Sequence, residues 1–123
     1  MDYTMSQLRS MLNECRAKIG ELVPKANEYH NQLKQAQKQY KRALAFAKIE
    51  AFKIATTKEQ KQSTMILAYA ETDEKVIKAQ DDLTLAECMD EACKLQLDSL
   101  ERDCQSYKKS IDSILVEMRQ FMG

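Results

Sequence analysis

Any chemistry in this chain would have to come from four cysteines, one histidine and 19 acidic side chains. The cysteines are Cys15, Cys88, Cys93 and Cys104, and no two form a C-x-x-C pair. Neither a zinc knuckle nor a thioredoxin-type site is therefore indicated. Cys93 and Cys104 are eleven residues apart, about three helical turns, which puts them on one helix face. Reduced thiols used as small core residues are the simpler reading, with a redox or metal role as the alternative. His30 stands alone beside Tyr29 and reads as a solvated side chain. A di-iron bundle would need Glu-x-x-His pairs, and the chain has none. No Gly-rich loop could cradle a phosphate, and no Ser or Cys nucleophile has a histidine in a plausible motif. These absences lead us to expect no enzymatic activity, no cofactor and no metal.

The remaining chemistry is electrostatic. Lys34, Lys38, Lys41, Arg42, Lys48 and Lys53 are interleaved with Tyr40, Phe46 and Phe52. Cations at this density can track a phosphate backbone, and aromatic rings among them can stack on unpaired bases. The formal charge is zero overall but unevenly spread. Residues 24–62 hold nine Lys or Arg against three acids, a balance of +6. Residues 71–104 hold four bases against eleven acids, a balance of −7. Two readings follow. The basic stretch could pair with the acidic one and set the register of two helices, or it could form a nucleic-acid surface. Zero net charge argues against strong nonspecific binding of duplexes.

The elements that carry these residues are helices. Gly occurs twice and Pro once, where an average chain of this length would carry about 14 of the two types. A β-rich fold needs more turn residues than that. Met5, Leu8, Leu12, Cys15, Ile19 and Leu22 recur at three- and four-residue spacings, which predicts a helix over about 4–23 that Thr4 or Ser6 can cap. Gly20 and Pro24 predict its end, and Pro24 would open a second helix over 24–55. The second seam reads Ala26, Tyr29, Leu33, Ala36, Tyr40, Ala43, Ala47, Glu50 and Ile54. A polar connection with a short helical turn, or alternatively a short strand, fills about 56–71. Thr72 with Asp73 and Glu74 predicts the start of a helix over 72–121. Its seam runs from Val76 through Leu83, Asp90, Cys93, Leu100, Cys104, Ile111 and Ile114 to Met118 and Phe121, with Asp90 as the one polar break. Leu85, Met89, Ala92 and Leu95 form a second stripe facing another way.

The expected architecture is a single all-α domain over 1–123. It comprises a long, coiled-coil-like antiparallel hairpin with a shorter N-terminal helix. The last helix would outreach its partner by about 14 residues, and oligomerisation would cover the excess apolar seam. The longest apolar run, Met65 to Ala70, is far short of the ~20 residues that span a bilayer. The N-terminus lacks the features of a signal peptide, so a cytoplasmic protein without membrane contact is expected.

Three features together resemble a known family. They are the basic, alanine-rich stretch Lys38-Gln-Tyr-Lys-Arg-Ala-Leu-Ala-Phe-Ala-Lys-Ile-Glu-Ala-Phe-Lys, a connection ending in Glu71-Thr-Asp-Glu-Lys-Val-Ile-Lys-Ala, and a closing helix ending in Ser113-Ile-Leu-Val-Glu-Met-Arg-Gln-Phe. Over roughly residues 30–122 this order is similar to the phage recombination mediators of the UvsY type. The resemblance implies a ring-shaped homo-oligomer of small helical subunits in the host cytoplasm. Such an oligomer would bind single-stranded DNA and load a RecA-like recombinase onto strands coated by single-strand-binding protein. It implies DNA contacts at Lys41, Arg42, Lys48 and Lys53 with Phe52 beside them. The oligomer interface would fall at Ile111, Ile114, Leu115, Met118 and Phe121. The chain departs from the family pattern in lacking a Gly-rich turn after the basic stretch. The competing reading is a structural or assembly adaptor, or a phage-type inhibitor, acting only through protein–protein contacts.

Overall fold

The computed structural model describes residues 3–122, and within them the fold is all-helical: α1 (Met5–Ile54), α2 (Ser63–Ala70) and α3 (Glu74–Met122). No strand occurs among the described residues. The chain forms two compact units, Met1–Asn27 with Glu91–Gly123, and Glu28–Asp90. In each, a segment of α1 packs antiparallel to a segment of α3.

Both long helices start with side-chain caps. The Thr4 hydroxyl accepts the Gln7 backbone N–H at 3.2 Å, and the Gln7 amide oxygen accepts the Thr4 N–H at 2.9 Å. This reciprocal capping box satisfies two otherwise orphaned donors. Asp73 caps α3 by accepting the Lys75 N–H at 2.8 Å, and its charge lies at the positive end of the helix dipole.

The expected break at Gly20–Pro24 does not occur: 4–23 and 24–55 are one 50-residue helix with Pro24 inside it. Proline there removes one hydrogen bond to the carbonyl four residues back, which belongs to Gly20, and crowds that carbonyl. The local cost is offset because the apolar period crosses the site undisturbed, as Cys15, Ile19, Leu22, Ala26, Tyr29 and Leu33. α1 and α3 are 50 and 49 residues long, so the expected difference of about 14 residues in length is also absent.

In the first unit Leu12, Cys15 and Cys104 form the core, with Ile19, Leu100, Tyr107 and Ile111 packed around it. In the second, Ala47, Ala70 and Val76 form the core, with Tyr40, Ala43 and Leu44 around it. Ile66 and Ala70 are the buried face of α2. Leu, Ile and Tyr surround the two thiols of the first cluster, whereas alanines make up half of the second. The seam of α1 also shifts. After Ala47 the buried positions are Ala51 and then half-buried Ala55, whereas Glu50 and Ile54, expected in the seam, are exposed. A helix with 3.6 residues per turn drifts by about 20° per heptad against a 3.5-residue repeat, and the buried stripe moves one position on.

The connection between α1 and α2 is ordered by its polar residues. The Gln60 amide oxygen accepts from the Thr56 N–H (2.9 Å) and hydroxyl (3.1 Å), and the Thr57 hydroxyl accepts the Gln60 N–H.

Pro24→Ala restores the missing donor and relieves the crowding of the Gly20 carbonyl. We expect Pro24→Ala to raise stability by up to about 3 kcal/mol in urea denaturation. Unchanged or lower stability would mean that the proline is accommodated without strain.

Candidate nucleic-acid interface

The basic stretch lies on α1 in the second unit. Ala43, Leu44, Ala47 and Ala51 turn inward, which leaves the intervening positions outside. Lys41, Arg42, Lys48 and Lys53 are all exposed. Phe46 is 70% exposed and Phe52 54%, high values for rings that the hydrophobic effect would otherwise bury. Tyr40, by contrast, packs against the core and does not belong to this face. Phe46, Ile49 and Phe52 follow one another at three-residue steps, and Ile49 is exposed too. The outer side of this part of α1 is thus an apolar strip edged with cations.

Among the described residues Lys41, Arg42 and Lys48 hold no ion pair. Lys53 meets Glu50 one turn back on the same helix at 3.6 Å, with both side chains well exposed. Such a pair is worth under about 1 kcal/mol and yields readily to a phosphate. Pairing with the acidic part of α3 is therefore not what occupies these cations.

Two neighbours of the strip were not legible in the sequence. Lys61 reaches back from the connection and holds its ammonium 5.5 Å from the centre of the Phe52 ring. This is a cation–π contact. Beside it, a groove of about 230 Å³ opens between the end of α1 (Ala51, Ile54, Ala55) and α2 (Met65, Ile66, Tyr69), with Gln60 at its edge.

The expected oligomer-interface residues divide into two groups. Ile111 packs on the core of the first unit, and Ile114 and Leu115 are half-buried. Met118 and Phe121 are exposed, Phe121 at 93%. The second stripe of α3 is open as well: Leu85, Met89 and Leu95 are all exposed.

Asp90, the polar break in the seam, is the one buried charged residue among those described. Its Oδ1 lies 3.6 Å from Nδ1 of His30, so the lone histidine meets the lone seam acid. His30 itself remains exposed, as the sequence predicts, and only Asp90 is buried. The two positions are sixty residues apart, and only the fold brings them together. A charge in the seam that finds its partner in one alignment alone disfavours sliding of the helices.

The cysteines are free thiols, with Cys15, Cys93 and Cys104 buried and Cys88 exposed. The Cys15 thiol donates to the Leu100 carbonyl at 3.0 Å. Burial, reinforced by the neighbouring Cys104, pushes its pKa up to about 11. Burial also raises the Tyr107 hydroxyl, with Asp103 adding to the effect. No group of three His, Cys, Asp or Glu side chains that could hold a metal occurs among the described residues. No helix among them is long and apolar enough to cross a membrane.

Because folding holds the proton on Cys15, its contribution to stability is complete below the ordinary thiol value of 9.0 and is lost as pH rises from there towards about 11. We expect Cys15→Ala to flatten the alkaline decline in stability over that interval. An aromatic disulfide reagent near neutral pH should modify Cys88 rapidly and the three buried thiols only after denaturation. Rapid reaction of more than one thiol in the native protein would contradict this packing. No protein-family model matches the chain, and no curated protein or solved structure matches it either.

Proposed function

We propose that this chain binds single-stranded DNA through the basic, aromatic face of α1 and acts as a recombination mediator of the UvsY type. It would help a RecA-like recombinase onto strands held by single-strand-binding protein. The observation that carries the binding reading is that Phe46 and Phe52 stand in solvent among Lys41, Arg42, Lys48 and Lys53. An exposed ring costs hydration free energy in the free protein and regains it when a base stacks on it, at about 1 to 3 kcal/mol per base. The mediator role and its partners rest on the sequence resemblance alone.

One subunit offers few phosphate contacts, and a homo-oligomer repeating the patch would turn weak contacts into avidity. The exposed end of α3, with Met118 and Phe121, is the surface we assign to that assembly. The adaptor reading draws on a different observation, the exposed Leu85, Met89 and Leu95 on acidic α3. It requires a protein partner and no DNA.

Fluorescence anisotropy with labelled oligo-dT at several salt concentrations tests the proposal. Lys48→Ala with Lys53→Ala should weaken binding and flatten its salt dependence, each lost phosphate contact removing roughly 0.7 from the logarithmic slope. Phe52→Ala should cost about 1 to 3 kcal/mol with little change of slope. Absence of binding at low salt would overturn the proposal and leave the adaptor reading. Phe121→Asp should lower the mass seen by light scattering without lowering thermal stability, since that side chain makes little contact within its own subunit. A wild-type protein that is monomeric at micromolar concentration would refute the assembly.

A further inference from the structure

The apolar strip of α1 does not end at Phe52. Beside it, Ala51 and Ile54 of α1 and Ala55 just past its end form one wall of the groove closed on its other side by Met65 and Tyr69 of α2. Ile54, Met65 and Tyr69 are all more than half exposed, so the groove is lined by side chains that water solvates poorly. Its floor is firm, because Ala51 and Ile66 are both buried. The stretch of chain that builds it is basic. Residues 48–61 carry Lys48, Lys53, Lys58 and Lys61 against Glu50 and Glu59, a balance of +2.

We propose that this groove is a nucleobase subsite, which takes one unpaired base of a single strand whose phosphates lie on the flanking lysines. The proposal rests on the single-strand-binding reading above and adds a place where a base is held. Charge complementarity selects the occupant. An apolar slot built by a basic stretch of chain suits a flat, poorly solvated ring attached to an anionic chain, the combination that single-strand-binding surfaces accommodate. Tyr69 offers an exposed ring at one wall. Gln60 has its amide oxygen occupied by the backbone and hydroxyl of Thr56, which fixes the amide at the rim with its NH2 as the remaining polar group. A carbonyl oxygen on the base edge could accept from that NH2. Lys61 contributes in two ways, since the ammonium that lies over Phe52 is adjacent in sequence to Gln60. It keeps one face of the Phe52 ring occupied in the free protein and supplies a cation for the phosphate beside the held base.

The test fills the groove without changing any charge. Ala55→Leu adds three carbons at its wall, and binding is measured for labelled oligo-dT and for an abasic strand of the same length, which keeps the phosphates and lacks the bases. The wild-type protein should prefer oligo-dT, and Ala55→Leu should reduce its affinity about fivefold to a hundredfold while leaving the abasic strand unchanged. Tyr69→Ala, which only removes atoms at an exposed wall, should act in the same direction and serves as the measurement if Ala55→Leu fails to fold. Equal oligo-dT binding by wild type and variants would overturn the subsite while leaving the basic face intact. So would an equal loss on both strands. If the variant changes the mass seen by light scattering but not DNA affinity, the groove holds a second copy of the chain, and the subsite is wrong. If the wild-type protein binds neither strand, both the subsite and the single-strand-binding reading fail.

Discussion

Burial of one narrow stripe along each of two long helices is the constraint from which the other features of this molecule follow. Its buried positions form a narrow line of Leu8, Leu12, Cys15, Ala36, Ala47 and Ala51 on α1 and Val76, Asp90, Cys93 and Cys104 on α3. The stripe takes side chains at seam positions, Tyr40 and Tyr107 included, and leaves those between them to solvent. Phe46 and Phe52 therefore remain outside, where stacking on a ligand can recover the hydrophobic free energy that the core does not. A thin core also explains the reliance on polar devices at the helix ends. The Thr4–Gln7 capping box, the Asp73 cap and the Thr56–Thr57–Gln60 turn each satisfy backbone groups that a two-helix packing would leave to water.

Charge is distributed according to the same logic. Lysines on α1 lie outside the seam and are exposed, so their ammonium groups remain hydrated. The acids of α3 likewise crowd a solvated surface, except Asp90, which is buried and faces His30. One buried charge among thirteen otherwise apolar or small seam positions is a poor source of stability and a good source of alignment. The basic face and the groove next to it both belong to the unit formed by Glu28–Asp90, so their mutual placement is fixed by one core.

Much of this was legible from the residues. The seam of α3, from Val76 through Ile114, is buried or half-buried at each position named, because a three–four spacing sustained over forty residues leaves a helix no other face to bury. Pro24 was misread because proline's local cost is visible in a sequence, whereas the packing that offsets it on both sides is not. Glu50 and Ile54 left the seam because of a small drift in phase that accumulates over several heptads. His30 with Asp90, and Lys61 with Phe52, could not have been paired in advance. Those contacts depend on helix register and on the path of a turn, to which residue type and spacing are blind. Of the candidate site, the exposure of Phe52 and the four cations was foreseeable from their positions off the seam, while the groove arises only when α2 folds back beside α1.

The outer face of α1 between Arg42 and Lys53 is the surface we propose to meet single-stranded DNA. Photo-crosslinking to an oligonucleotide carrying 5-bromouracil, followed by trypsin and mass spectrometry, tests it most directly. The expected result is crosslinked nucleotide on the tryptic peptides of residues 43–48 and 49–53, which contain Phe46 and Phe52. Crosslinks confined to α3, or none at low salt, would contradict it.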